Sequence, residues 1–209
     1  MAQAIFVADG DRFVPTEHAR GPWDPRALHG GAPAALIMAA FERLAPGAGL
    51  RIGRASFEFL RPIPLAPLTL TTRVARPGRR VQEVAGELSA DGETIVRASA
   101  LRVTAAPDEA VMAQADDGPG DGAPMAPPSS GEPVRFALDG STDSSFAASA
   151  MEMRWLSEAR TLGPGRVWMR LRHPLLPGHA PTPLARLAAT ADFGNGISAA
   201  LPFTAFVFI

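Results

Sequence analysis

Two carboxylates fall at the same offset from a proline that opens a helix: Glu42 counted from Pro33, and Asp192 counted from Pro183. A carboxylate within hydrogen-bond reach of a water can orient and deprotonate it. Asp192 sits near the C-terminal end of its predicted helix, where the macrodipole disfavours negative charge, so its placement runs against local preference. Its plainer reading is a solvated aspartate ahead of a glycine stop. Glu42, followed by Arg43, is either a second, pseudo-equivalent acid or half of a surface ion pair. The run His29-Gly30-Gly31 precedes the first of these helices. Backbone N–H groups at a helix start, with no side chain in the way, can hold a developing oxyanion. The same run also reads as a turn that needs positive φ. Arg76, Arg79 and Arg80 gather at one turn, either to meet phosphates through charge-assisted bonds or as a solvated hairpin.

Other chemistries find no support. His18, His173 and His179 share no metal-ligand spacing, so neither a metal nor a cofactor is expected. Ser144 and Ser145 lack the Gly-x-Ser-x-Gly elbow of a serine hydrolase. No Gly-x-Gly-x-x-Gly follows a strand, which removes dinucleotide binding. The chain has 209 residues and no cysteine, which excludes disulfides, thiolate metal sites and a cysteine nucleophile. All 20 basic residues are arginine, so lysine chemistry is absent. A net charge of −1 gives no general attraction to nucleic acid or anionic membrane. No apolar run is long enough to span a bilayer, and MAQAIFVADGDR lacks the basic start of a secretion signal, so a cytoplasmic location is expected.

The elements that position these residues are short, as 21 prolines and 20 glycines require. Ile5–Val7 and Phe13–Val14, around the Asp9-Gly10-Asp11 turn, predict a hairpin. Ala34–Leu44 predicts a helix with Pro33 in its first turn and Pro46-Gly47 as its stop. That helix is apolar nearly all round, so other structure must wrap it. Arg51–Leu60 alternates with period two, and Leu68, Leu70 and Val74 share one face of the next strand. Turns at Arg76–Arg79 and Ala90–Glu93 lead into strands over Val81–Leu88 and Thr94–Val103, an antiparallel meander. Residues 107–133, rich in Pro, Gly and Asp, read as a flexible linker between segments 1–106 and 134–209. The second segment repeats the order: strands over Ala150–Leu156 and Arg166–His173, then a helix with Thr182 as N-cap and Pro183 at its first position. That helix runs to about Phe193 and stops at Gly194-Asn195-Gly196. Leu201–Ile209 begins a strand. Against the first half, the second lacks the sequence for about three strands, so an incomplete repeat is expected, completed by further sequence or by another chain.

The stretch RASFEFLRPIPLAPLTLTTRVARPGRRVQEVAGELSADGETIVRASALRV resembles the N-terminal half of type II acyl-CoA thioesterases and their thioesterase-like relatives. GPWDPRALHGGAPAAL is similar to that family's entry to its first central helix, and HPLLPGHAPTPLARLAATADFGNG to the helix of its second half. The resemblance implies an α+β tandem (double) hotdog: in each repeat an antiparallel sheet wraps a long helix, the second repeat here being incomplete at the C-terminus. It implies hydrolysis of acyl-CoA to free acid and CoA by a water that side chains activate, without cofactor or metal. The family joins an Asp of the second helix to a Thr or Ser and a Gln from later strands. Asp192 matches that Asp, and the other two positions would fall beyond Ile209. Single-hotdog thioesterases use a similar His-Gly-Gly run, which assigns the oxyanion to Gly30 and Gly31. His29, Glu42 and Arg79 are then the candidates for holding substrate. The alternative is a non-catalytic hotdog that binds acyl-CoA or an acyl group. A hotdog hydratase finds no support, because no Asp and His pair is spaced in the sequence for water addition to an enoyl thioester. A homo-oligomer is expected from exposed strand edges.

Overall fold

The computed structural model describes residues 3–44, 49–104, 126–134, 144–156, 164–198 and 201. Strands β1 (Phe6–Asp9) and β2 (Arg12–Pro15) form the expected hairpin, with Gly10 at φ +64° in its turn. Helix α1 spans Gly31–Arg43, starting at the glycine pair rather than at Ala34. Pro33 thus occupies the first turn, where its missing N–H costs no helical bond. Strands β3 (Leu50–Phe59), β4 (Leu68–Arg76), β5 (Val81–Ala90) and β6 (Glu93–Thr104) follow. The β5–β6 turn places Asp91 at φ +49° and Gly92 at +81°, the two positive values that a type I′ hairpin requires.

These six strands make one antiparallel sheet in the order β1-β2-β4-β5-β6-β3. Register shifts between Ile52 and Arg54, between Val74 and Arg76, and between Leu88 and Ser89 are bulges that bend it. The bent sheet holds α1, of which Ala32, Ala35, Leu36, Ile37 and Phe41 are fully buried. Burying each of Leu36, Ile37 and Phe41 contributes about 1.5–3 kcal/mol. The Phe41 ring lies on the sheet at Gly86, where a Cβ would meet it at 3.0 Å. The buried Arg102 guanidinium fastens the helix end, donating to the Phe41 carbonyl and, at 3.0 Å, to Gln82 Oε1.

The second half repeats the hairpin and the helix. Strands β7 (Glu132–Val134), β8 (Met151–Trp155) and β9 (Val167–Leu171) form an antiparallel sheet in that order. β7 and the turn at Pro128–Ser130 are ordered parts of the segment read as linker. Pro133 hides this strand in the sequence, yet β7 is an edge, where proline is tolerated. A π turn over Phe146–Ala150 enters β8. Helix α2 spans Pro183–Ala191 behind the Thr182 N-cap, and a one-turn helix α3 (Gly194–Ile197) follows where the sequence predicted a stop. Phe193, buried to 4% exposure, anchors that extra turn, its carbonyl accepting from Ile197 N–H at 3.1 Å. Of the predicted last strand, 202–209 lie outside the described residues, as do 107–125 of the linker.

The halves are stitched directly. Ile5 and Phe6 N–H donate to the Pro174 and Leu175 carbonyls at 3.0 and 2.9 Å, and Phe146 N–H to the Arg20 carbonyl at 2.9 Å. The helices touch through Ala34 and Met38 of α1 against Ala188 of α2. Leu187, on the opposite side of α2, is 63% exposed, so among the described residues this helix lacks the wrapping that α1 has. Among the described residues, no helix is long and apolar enough to cross a membrane.

Candidate functional site

The helices run antiparallel, and each ends with an acid at the start of the other. Asp192 is the C-cap of α2, and its Oδ2 lies 3.1 Å from Nδ1 of His29, just ahead of α1. The N-terminus of α1 carries a partial positive charge, worth roughly 0.3–1 kcal/mol to a nearby carboxylate. This resolves the odd placement of Asp192: unfavourable on its own helix, it is favourable at the neighbour's opposite end. At the far end, Glu42 Oε2 accepts the hydroxyl of Thr182, the N-cap of α2, while Thr182 Oγ1 accepts from Ala185 N–H at 3.2 Å.

Why the chain tolerates such closeness at the α1 start follows from the two glycines. A Cβ on Gly30 would sit 2.9 Å from Asp192 Oδ2 and 3.2 Å from the Phe59 ring. One on Gly31 would sit 2.5 Å from the Ala189 carbonyl oxygen. Neither glycine adopts positive φ, so close approach rather than backbone freedom demands them.

The α1 start has no side-chain cap of the usual Ser or Asp kind, and His29 takes that part. Gly31 N–H donates to His29 Nδ1 at 3.1 Å, Ala32 N–H donates to the His29 carbonyl at 3.0 Å, and Pro33 has no N–H. Nδ1 therefore serves two partners that ask for opposite tautomers: it accepts from Gly31 when bare and donates to Asp192 when protonated. The ring is held between Phe193, at a 4.5 Å centroid distance, and Phe146, at 5.0 Å. His29 is 9% exposed and Asp192 is 43% exposed, so the carboxylate is open to water while its partner is not.

Of the residues singled out in the sequence, the fold brings together Asp192, His29, Gly30 and Gly31. It does not bring Glu42 or Arg79 to them. Glu42 lies near the other end of α1, about 17 Å along the helix axis from Gly31. Arg79 is exposed in the β4–β5 hairpin, at the end of the sheet to which Arg102 ties the C-terminus of α1. Phe146, Phe193 and Phe59 escape the sequence reading. Phe193 directly follows Asp192, and an aromatic next to a helix-ending acid is the signal that could have found it.

By shape, a hotdog-fold protein of Alicyclobacillus acidocaldarius aligns at TM-score 0.61 and 19% identity, covering 90% of this chain and 66% of that one. A thioesterase candidate of Novosphingobium aromaticivorans aligns at TM-score 0.62 and 24% identity, covering 92% and 72%. An acyl-CoA thioesterase II of Mycobacterium marinum aligns at 0.51 and 19%, covering 84% and 65%. The chain thus spans about two thirds of the length of these structures, and at such identities they establish the tandem hotdog fold. No curated protein sequence matches significantly. The family description "Acyl-CoA thioesterase N-terminal domain" matches residues 19–103, and "Acyl-CoA thioesterase C-terminal domain" matches residues 105–208. With both halves matched in order, the chain belongs to the acyl-CoA thioesterase family.

Proposed function

We propose that this protein hydrolyses acyl-CoA thioesters to a free acid and CoA, with Asp192 orienting and deprotonating the attacking water. The observation that carries this is the solvent-open Asp192 carboxylate, set 3.1 Å from the buried His29 ring at the start of α1. In this reading His29 is a positioning residue: it fixes the carboxylate and is itself fixed by Phe146 and Phe193. The Gly30 N–H makes no hydrogen bond to the described residues and is the donor left for a thioester oxyanion. Water adds to the thioester carbonyl, its proton passes to Asp192, and collapse of the tetrahedral intermediate expels the CoA thiolate, which takes up a proton. The test is release of free thiol from a panel of acyl-CoAs by the wild-type protein and by Asp192→Asn. A second function, acyl-CoA binding without turnover, draws support from Gly31, whose N–H is committed to His29 Nδ1 rather than open to a substrate. Calorimetry run beside the thiol assay separates the two.

A further inference from the structure

A cavity of about 280 Å³ lies beside the C-terminal half of α1, roofed by the segment that leads into α2. Its walls are mostly apolar, Leu36 and Ala39 from the helix and Leu175, Leu176 and Pro181 from the segment, with His179 and Thr182 as polar members. At its rim stands Arg43, an exposed cation with no ion pair or hydrogen bond among the described residues. Glu42, the acid next to it in sequence, is engaged by Thr182 instead. The volume falls just under the roughly 300 Å³ at which ligand cavities usually begin. It suits a short unbranched chain. One guanidinium at the mouth, free to bind two oxygens side by side, matches a single planar carboxylate.

We propose that this cavity is a binding site for a short-chain fatty carboxylate, with the alkyl chain between α1 and the 175–181 segment and the carboxylate on Arg43. It is separate from Asp192, which meets the opposite end of α1, so it does not rest on the catalytic reading of that residue. Such a site would register the kind of acid that thioester hydrolysis releases, without competing at the α1 start.

The experiment titrates the full chain with hexanoate and follows binding by calorimetry and saturation-transfer NMR. Hexadecanoate, hexanoyl-CoA and hexanol are the comparison ligands. Hexanoate is expected to bind wild type and Asp192→Asn alike, to lose at least about tenfold in affinity with Arg43→Gln, and to be excluded by Ala39→Leu, which fills the cavity. Hexanol is expected to bind weakly, and hexadecanoate and hexanoyl-CoA not to compete. No binding of hexanoate, affinity that Arg43→Gln leaves unchanged, or loss of binding in Asp192→Asn would each overturn the proposal. Should Ala39→Leu unfold the chain, Arg43→Gln decides alone, since that side chain is exposed and its loss leaves the core intact.

Discussion

Gly30 and Asp192 are in such close contact that a single added methyl would collide with the carboxylate: a Cβ on Gly30 would fall 2.9 Å from Oδ2. The backbone of Gly30 is right-handed, at φ −60° and ψ −26°, so alanine fits its conformation. Gly30→Ala is therefore expected to fold with a stability within about 1 kcal/mol of wild type while displacing Asp192 and Phe59. Thiol release should fall with little change in melting temperature. Equal loss of both would show that the contact is only structural.

Gly31 differs in what it faces. The Ala189 carbonyl, 2.5 Å from its would-be Cβ, is backbone and cannot rotate away. Gly31→Ala must push the two helices apart, at a cost of about 1–3 kcal/mol. Denaturant unfolding of the two alanine variants side by side should rank Gly31→Ala well below Gly30→Ala.

Arg102 is 4% exposed, and burial lowers its pKa below the ordinary arginine value. Replacing it by Met keeps much of the volume but removes the donor to Gln82 and leaves the Phe41 carbonyl, among the described residues, only the Leu44 N–H at 3.3 Å. The expected loss is about 2–3 kcal/mol, read as a shifted urea midpoint. Because this end of α1 is far from Asp192, thiol release per folded molecule should be unchanged.

His18 and His173 join the halves, their rings 4.4 Å apart, with His18 Nδ1 2.7 Å from Ser149 Oγ. Burial first, then His18, then Arg172 lower the His173 pKa from the ordinary 6.5, against a smaller opposing effect of its hydrogen bond to the Ser149 backbone. The folded pKa is depressed, so the unfolded chain takes up the proton more readily. The stability concerned is complete above 6.5 and is lost as pH falls through the lowered folded value. Melting temperature should decline on acidification from about pH 7 to 5, and His173→Asn should flatten the decline.

The sequence shows most of the first half because its patterns are local. The apolar ring of α1, the alternation in β3 and the Asp91-Gly92 turn each contain their own signal. β7 stays hidden because Pro133 belongs to an edge, and α3 because Phe193 is anchored by contacts remote in sequence. For the candidate site, the sequence marks Asp192 and the His29-Gly30-Gly31 run but not their encounter. That meeting depends on the antiparallel packing of helices 140 residues apart, as the Glu42 to Thr182 hydrogen bond also does. His29 is expected from the sequence to hold substrate; its ring nitrogen faces Asp192 and Gly31, an arrangement with no local signal in the sequence.

The most direct test compares thiol release from acyl-CoA by wild type and Asp192→Asn, with melting temperature measured on the same preparations. Turnover by wild type is expected, with a loss of roughly 10²–10⁴-fold in the variant at an unchanged melting temperature. Asp192→Asn releasing CoA as fast as wild type would contradict it.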